Sequence, residues 1–191
     1  MVEPPRGAAL VTGAARRIGR VLALSCADAG FDVAIHCRVI DDDAETVAAQ
    51  VRAKGRKAAL VTSDLRKESE TAPLISAVEA ELGQVTLLVN CASVFEEDAF
   101  GSMNRHSWDL HMETNLRGPL VLAQAFARRI TGARRGLIVN ILDQRALRPQ
   151  PASFSHSLTK PALCHATRTL AQALAPPLPP PGPVPRPPPP P

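Results

Sequence analysis

The sequence predicts an α/β fold with a doubly wound parallel sheet, and three observations predict it. Short, near-continuous apolar runs recur from Ala8 to Leu142, and stretches with apolar residues at helical spacing separate them. Strands that are apolar throughout need cover on both faces, which a parallel sheet receives from its crossover helices. A glycine-bearing turn, TGAARRIG at residues 12–19, joins the first run to the first helical stretch. Right-handed crossovers then place a ligand crevice at the carboxyl ends of the strands.

The elements follow in order. Ala8 to Val11 reads as a strand, broken by Thr12-Gly13, after which Ile18, Val21, Leu22, Cys26 and Ala29 recur as a helix face up to Gly30. Phe31 to Cys37 is a second strand. Asp41 to Lys54 is a helix with Ala44, Val47, Ala48 and Val51 on one face, stopped by Gly55. Lys57 to Thr62 is a third strand, and Lys67 to Leu82 a helix aligning Leu74, Val78 and Leu82, with Pro73 expected near its first turn. Thr86 to Asn90 is a fourth strand. Asn104 to Ile130 carries a long helical pattern through Trp108, Met112, Leu116, Leu120 and Ala123, with a bend expected at Gly118-Pro119 and Trp108 expected in the core. Gly136 to Leu142 is a fifth strand and Ser153 to Ala175 a last helix. No internal repeat is visible.

Composition narrows the function classes. With 191 residues, 45% of them hydrophobic, the chain can bury one substantial core, so one domain is expected over residues 1–175. The net charge of +4 is mild, and the basic residues are dispersed apart from Arg16-Arg17, Arg128-Arg129 and Arg134-Arg135, with no aromatics interleaved. That pattern suits a phosphate-bearing small ligand better than nucleic acid. Cys26, Cys37, Cys91 and Cys164 lack the paired spacing of a zinc site, so no metal is expected. The start has no apolar leader core and no stretch is long enough for a membrane helix, which makes a cytoplasmic protein with no membrane partner the expectation.

The strand ends collect the polar groups. Gly13 supplies freedom for the turn, Gly19 permits close packing on the first helical turn, and Arg16 and Arg17 add charge where unpaired helix N–H groups favour a phosphate. In a nicotinamide-binding sheet, an acid about 20 residues beyond that turn would hold the ribose 2′-hydroxyl, whereas arginine would accommodate a 2′-phosphate. His36 and Arg38 stand there, and no acid follows until Asp41. NADP(H) is therefore expected over NAD(H).

These residues carry a resemblance. The chain resembles the short-chain dehydrogenase/reductases from Ala8 to Ala175, and most closely their pteridine reductase branch, which implies a Rossmann-like fold. TGAARRIG, with Gly13, Arg16, Arg17, Ile18 and Gly19, is similar to that branch's cofactor turn, Arg17 replacing the family's middle glycine. Asp64-Leu65 looks like the adenine-contacting pair, although Asp64 alone reads equally as a helix cap. Asn90-Cys91-Ala92-Ser93 resembles the Asn-Asn-Ala-Gly/Ser segment, although Asn90 alone reads equally as a strand-end hydrogen-bonder. Cys91 there removes two amide donors and an acceptor. The resemblance further implies catalytic roles for Asn115, Asp143 and Lys160, with Asp143 at the usual serine position as in the pteridine reductases. Ser93 and Phe95 are implied at the substrate; Phe95 either stacks on a pterin ring or belongs to the core.

Three departures accompany the resemblance. The family's catalytic tyrosine, four residues before the lysine, is replaced by His156, and the chain contains no tyrosine. Placed proton transfer contributes roughly 10²–10⁴ in rate, so a severe loss is expected unless Asp143 stabilises an imidazolium. Pro161 is expected to disturb the helix carrying Lys160, at about 3 kcal/mol. From Pro176 on, twelve of sixteen residues are proline, which favours polyproline II and cannot build a core. A truncated or frame-altered member with a disordered tail over residues 176–191 is expected, its sheet ending at the fifth strand.

Three functions compete. The first is an NADPH-dependent reductase of a pteridine or related carbonyl or imine, using Asn115, Asp143, His156 and Lys160. The second is a nucleotide-binding family member that has lost catalysis. The third is an interaction protein whose proline-rich tail docks on an aromatic groove. The resemblance also implies a homo-oligomer, formed through the helical stretches at 104–130 and 153–175.

Overall fold

Five parallel strands form one sheet in the order β3-β2-β1-β4-β5. They are β1 (Ala8–Val11), β2 (Asp32–Cys37), β3 (Ala58–Thr62), β4 (Val85–Asn90) and β5 (Leu137–Asn140). The structure, a computed structural model, describes residues 6–130 and 135–175. The proline-rich tail and Arg134 lie outside the described residues. The chain leaves β1 toward β2 and β3 on one side and returns to β4 and β5 on the other, so the order reverses beside β1. That reversal opens the crevice at the carboxyl ends of β1 and β4.

Both sheet faces are covered, as the apolar strands require. On one face Ala9, Val11, Val33, Ile35, Leu87 and Val89 pack with α1 (Arg17–Asp28) and α2 (Asp42–Ala53). On the other, Ala8, Leu10, Ala34 and Leu88 meet Leu74, Ile75 and Val78 of α4 (Leu74–Leu82) and Leu122 and Phe126 of α6 (Gly118–Arg129). α2 buries the four residues its spacing predicts, and the Asp41 carboxylate caps it by accepting the Ala44 N–H at 3.0 Å.

Several expectations need correction. α1 turns Gly19, Ala23, Cys26 and Ala27 inward, while Ile18 and Val21 are 59% and 62% exposed. Small residues win because this helix lies close on the sheet. The stretch 67–82 is two helices, α3 (Glu68–Thr71) and α4, because Pro73 ends one and starts the other. The stretch 104–130 is three pieces: α5 (Arg105–Met112), a π-helical turn (Glu113–Arg117) and α6. Pro119 has no N–H for the carbonyl of Asn115, which favours the wider turn. Trp108 is half-buried rather than core. α7 (Phe154–Leu174) runs continuously through Pro161, and Lys160 remains buried. Among the described residues, no helix is long and apolar enough to cross a membrane.

Candidate active site

The glycine turn is the tightest part of the crevice. A Cβ on Gly19 would fall 2.1 Å from the Gly13 carbonyl oxygen, and one on Gly13 would fall 2.9 Å from the Ala92 Cα. Gly13 and Arg17 both adopt left-handed backbone, with φ of 64° and 52°. Arg16 is the N-cap of α1, yet its side chain caps nothing, so the first N–H groups of the helix stay open to a ligand. An uncapped helix N-terminus reached through two close-packed glycines fits the pyrophosphate of a dinucleotide. Thr12, read from the sequence only as the break after the first strand, ties this turn to β4: its Oγ1 accepts the N–H groups of Cys91 and Ala92 at 2.9 and 3.0 Å.

The basic residues divide by partner. Arg16 is held in ion pairs to Asp43 and, at 2.7 Å, to Asp41, tying α1 to α2. Arg17 and Arg38 are exposed and form no ion pair among the described residues. His36 does not reach the ligand side. It is buried, its Nδ1 accepts the Gly13 N–H at 3.3 Å, and its Nε2 lies 3.1 Å from the Ser63 hydroxyl. This bonding puts the single ring proton on Nε2. Desolvation lowers its pKa to about 4, so it is a neutral strut beneath the turn rather than a phosphate contact.

Asp64 is held by Arg66, whose Nε and Nη2 lie 2.9 and 2.5 Å from its two oxygens, and its pKa falls to about 2, mainly through that side-chain hydrogen bond. Leu65 is buried in the core, which leaves only its backbone for a ligand. Asn90 donates to Asn140 Oδ1 at 2.8 Å, while its own buried Oδ1 has no partner among the described residues. Asn140 in turn donates to Thr167 at 2.9 Å, tying β4, β5 and α7 together.

The four catalytic candidates converge. The π-helical turn carries Asn115, whose Oδ1 accepts the Val94 N–H at 2.7 Å. Its Nδ2 donates to the Val94 carbonyl at 2.9 Å and lies 3.2 Å from His156 Nδ1. His156 sits in the first turns of α7, 2% exposed, with Nε2 2.9 Å from Asp143 Oδ2. Asp143 follows β5 and is half-buried. Burial raises its pKa, but hydrogen bonds from His156 and the Arg145 N–H outweigh that and hold it below the usual carboxylate range. One turn beyond His156, Lys160 directs its Nζ to the Ile141 carbonyl at 3.4 Å. Burial lowers its pKa, with Asp143 and Cys91 pulling the other way.

At the crevice mouth, Phe95 is 51% exposed and meets His156 edge-on at 5.1 Å. Arg145 lies over the Phe95 ring at 5.2 Å and donates to Gln150 at 2.7 Å, which makes it a wall of the site that the sequence did not flag. Ser93 is exposed on the same loop. Among the described residues, no group of three His, Cys, Asp or Glu side chains could hold a metal ion.

A parallel sheet with this turn and this strand-end cluster defines a nucleotide-dependent oxidoreductase fold. The chain belongs to the short chain dehydrogenase family, whose sequence profile it matches over residues 7–177. It is similar to the 3-oxoacyl-[acyl-carrier-protein] reductase FabG of Staphylococcus epidermidis, with 32% identity across 87% of this chain and 68% of that one. Among solved structures it resembles FolM alternative dihydrofolate reductase 1 from Brucella canis complexed with NADP. That likeness has 41% identity and a TM-score of 0.84, covering 90% of this chain and 69% of that one. A metagenomic short-chain oxidoreductase in complex with NADP is similar at 28% identity and a TM-score of 0.83, covering 90% and 77%.

Proposed function

We propose that this chain is an NADPH-dependent reductase of a pteridine or a related carbonyl or imine, in which Asp143 and His156 deliver the proton. The observation that carries the reading is the 2.9 Å contact between His156 Nε2 and Asp143 Oδ2 at the mouth of the crevice. Similarity to a dihydrofolate reductase at 41% identity supports a pteridine over a straight-chain oxoacyl substrate. The open N–H groups of α1 would hold the pyrophosphate with Gly13, Ile18 and Gly19, and Arg17 and Arg38 the 2′-phosphate. Asp64 and the Leu65 backbone would meet the adenine, Asn90, Cys91 and Ala92 the inner ribose and nicotinamide, and Lys160 the ribose hydroxyls. When bound, NADPH supplies the hydride.

The protein's own groups handle the proton. In the neutral ring, Nε2–H donates to Asp143 and Nδ1 accepts from Asn115 Nδ2. When the ring is doubly protonated, Nδ1–H donates instead to the Val94 carbonyl, 3.1 Å away. His156 therefore keeps a partner at each nitrogen in either state, as a proton store requires. Asp143 is the more exposed of the pair and passes the proton to the substrate, drawing it from His156. Phe95 and Ser93 line the substrate side.

A second reading is a family member that binds nucleotide without turnover, favoured by the burial of His156 and the absence of tyrosine. Titration with NADPH, followed by mixing with a 7,8-dihydropteridine or an acetoacetyl thioester, separates the readings. Pteridine-dependent oxidation of NADPH is expected. Faster oxidation with the thioester would refute the substrate class, and tight binding with no oxidation by either would favour the second reading. A second copy is proposed as partner, across an apolar groove of about 550 Å³ where Leu116 and Leu120 face Ala162, Ala166 and Leu170.

A further inference from the structure

We propose that Asp98, Ser155 and His111 form a buried clamp that positions the His156 ring against Asp143. The three are positioning residues, and the proposal rests on the reading of His156 as the proton carrier.

α7 begins without a side-chain cap of its own, since Ser153 caps nothing. Asp98, from the loop after β4, supplies the cap from outside the helix. Its carbonyl accepts the Phe154 N–H at 2.7 Å, its Oδ1 accepts the Ser155 N–H at 3.0 Å, and its Oδ2 accepts the Ser155 hydroxyl at 2.5 Å. A carboxylate at a helix N-terminus is doubly favoured, by hydrogen bonds and by the helix dipole. Ser155 also reaches α5, its Oγ lying 2.6 Å from His111 Nδ1.

The protons in this cluster can be assigned. The Glu96 N–H can only donate, and it meets His111 Nε2 at 3.0 Å, so that nitrogen is bare and Nδ1 carries the hydrogen. Nδ1–H then donates to Ser155 Oγ, whose own hydrogen goes to Asp98. Burial pushes the pKa of His111 down, in keeping with a neutral ring. Burial raises that of Asp98, but hydrogen bonds from Ser155 and Ser107 outweigh it and keep the carboxylate charged. The trio is no nucleophile: all three side chains are sealed from solvent, and the serine hydrogen points at the acid rather than at the histidine.

The clamp instead joins three segments around His156. It pins the backbone of Ser155, the preceding residue. It fixes Glu96 and Asp98, which directly follow Val94 and Phe95 on the loop that presents the Val94 carbonyl. It also sets the His111 ring, which meets His156 edge-on at 5.8 Å, as Phe95 does at 5.1 Å. The titratable groups facing His156 are Asp143 from the segment after β5 and His111 from α5, while Lys160, one turn further along α7, acts on Asp143 and Cys91. Within this cage the ring has one orientation that gives Nε2 to Asp143.

The test is the ring-nitrogen NMR spectrum of His156, recorded at alkaline pH in the wild type, Ser155→Ala, Asp98→Asn and Ser155→Thr. The wild type is expected to hold the neutral proton on Nε2. Ser155→Ala and Asp98→Asn are expected to mix the two tautomers, because a loosened ring no longer keeps Nε2 on Asp143. Ser155→Thr keeps the hydroxyl and is expected to restore the wild-type spectrum. If Asp98→Asn fails to fold, Ser155→Ala decides alone, since alanine suits a helix. An unchanged His156 tautomer, even with a lowered melting temperature, would overturn the proposal and leave a purely structural cap. A wild type that never oxidises NADPH would refute the reductase reading without altering this measurement.

Discussion

His36 should make stability fall as the pH drops, and His36→Gln should remove that part of the dependence. The imidazole is buried between the glycine turn and Ser63, and desolvation holds its pKa at about 4 against an ordinary 6.5. In the unfolded chain the ring takes up its proton near 6.5, so between those two values the unfolded state binds a proton that the folded state refuses. The stability of the neutral, buried ring is therefore complete above pH 6.5 and is lost as the pH falls toward 4. The full gap is worth about 3 kcal/mol, of which about 2 kcal/mol is gone by about pH 5. Urea unfolding of both proteins, from about pH 7.5 to about pH 4.5, isolates this effect, because Asp64, Asp98 and Asp143 titrate in both and cancel in the difference. The wild type should lose about 2 to 3 kcal/mol more than the variant over that range. Parallel curves would refute the placement of His36 as a buried neutral strut.

Three further outcomes are expected. Arg38→Ala should weaken NADPH by about 10- to 100-fold, the worth of one charge-assisted hydrogen bond of about 1.5–3 kcal/mol, and leave NADH unchanged in a fluorescence titration; equal losses for both would remove the 2′-phosphate assignment. Gly19→Ala should abolish dinucleotide binding, since its Cβ would sit 2.1 Å from a backbone oxygen, and calorimetry showing wild-type affinity would contradict the tight turn. His156→Tyr should raise pteridine reduction, because Asn115, Asp143 and Lys160 already surround that position and tyrosine supplies a hydroxyl whose pKa Lys160 can lower. A slower variant would mean that the His156–Asp143 pair delivers the proton better than tyrosine can in this site.

Spacing made α2 legible, because Ala44, Val47, Ala48 and Val51 form a stripe against polar neighbours. α1 misled because apolarity alone favours Ile18 and Val21, whereas close approach to a sheet selects Gly19 and Ala23. The family resemblance, and not spacing, singled out Asn115, Asp143, His156 and Lys160 together, and the fold brings them into one cluster. His36 was misplaced because a strand buried on both faces gives no signal of which way each side chain points. Asp98, His111, Ser155 and Arg145 could not be read at all: each acts through segments distant in sequence, and only the folded chain brings them together.

Arg17 holds left-handed backbone at φ 52°, a conformation that glycine adopts freely and that costs a residue with a Cβ about 1–2 kcal/mol. Its guanidinium is also one of two exposed cations at the turn without an ion pair among the described residues. With Arg17 on the 2′-phosphate as proposed, folding and cofactor choice pull in opposite directions at a single position. Arg17→Gly would give a more stable protein that discriminates less between NADPH and NADH. A population selected for thermal resistance alone would drift toward that glycine and lose its preference for the phosphorylated dinucleotide along the way.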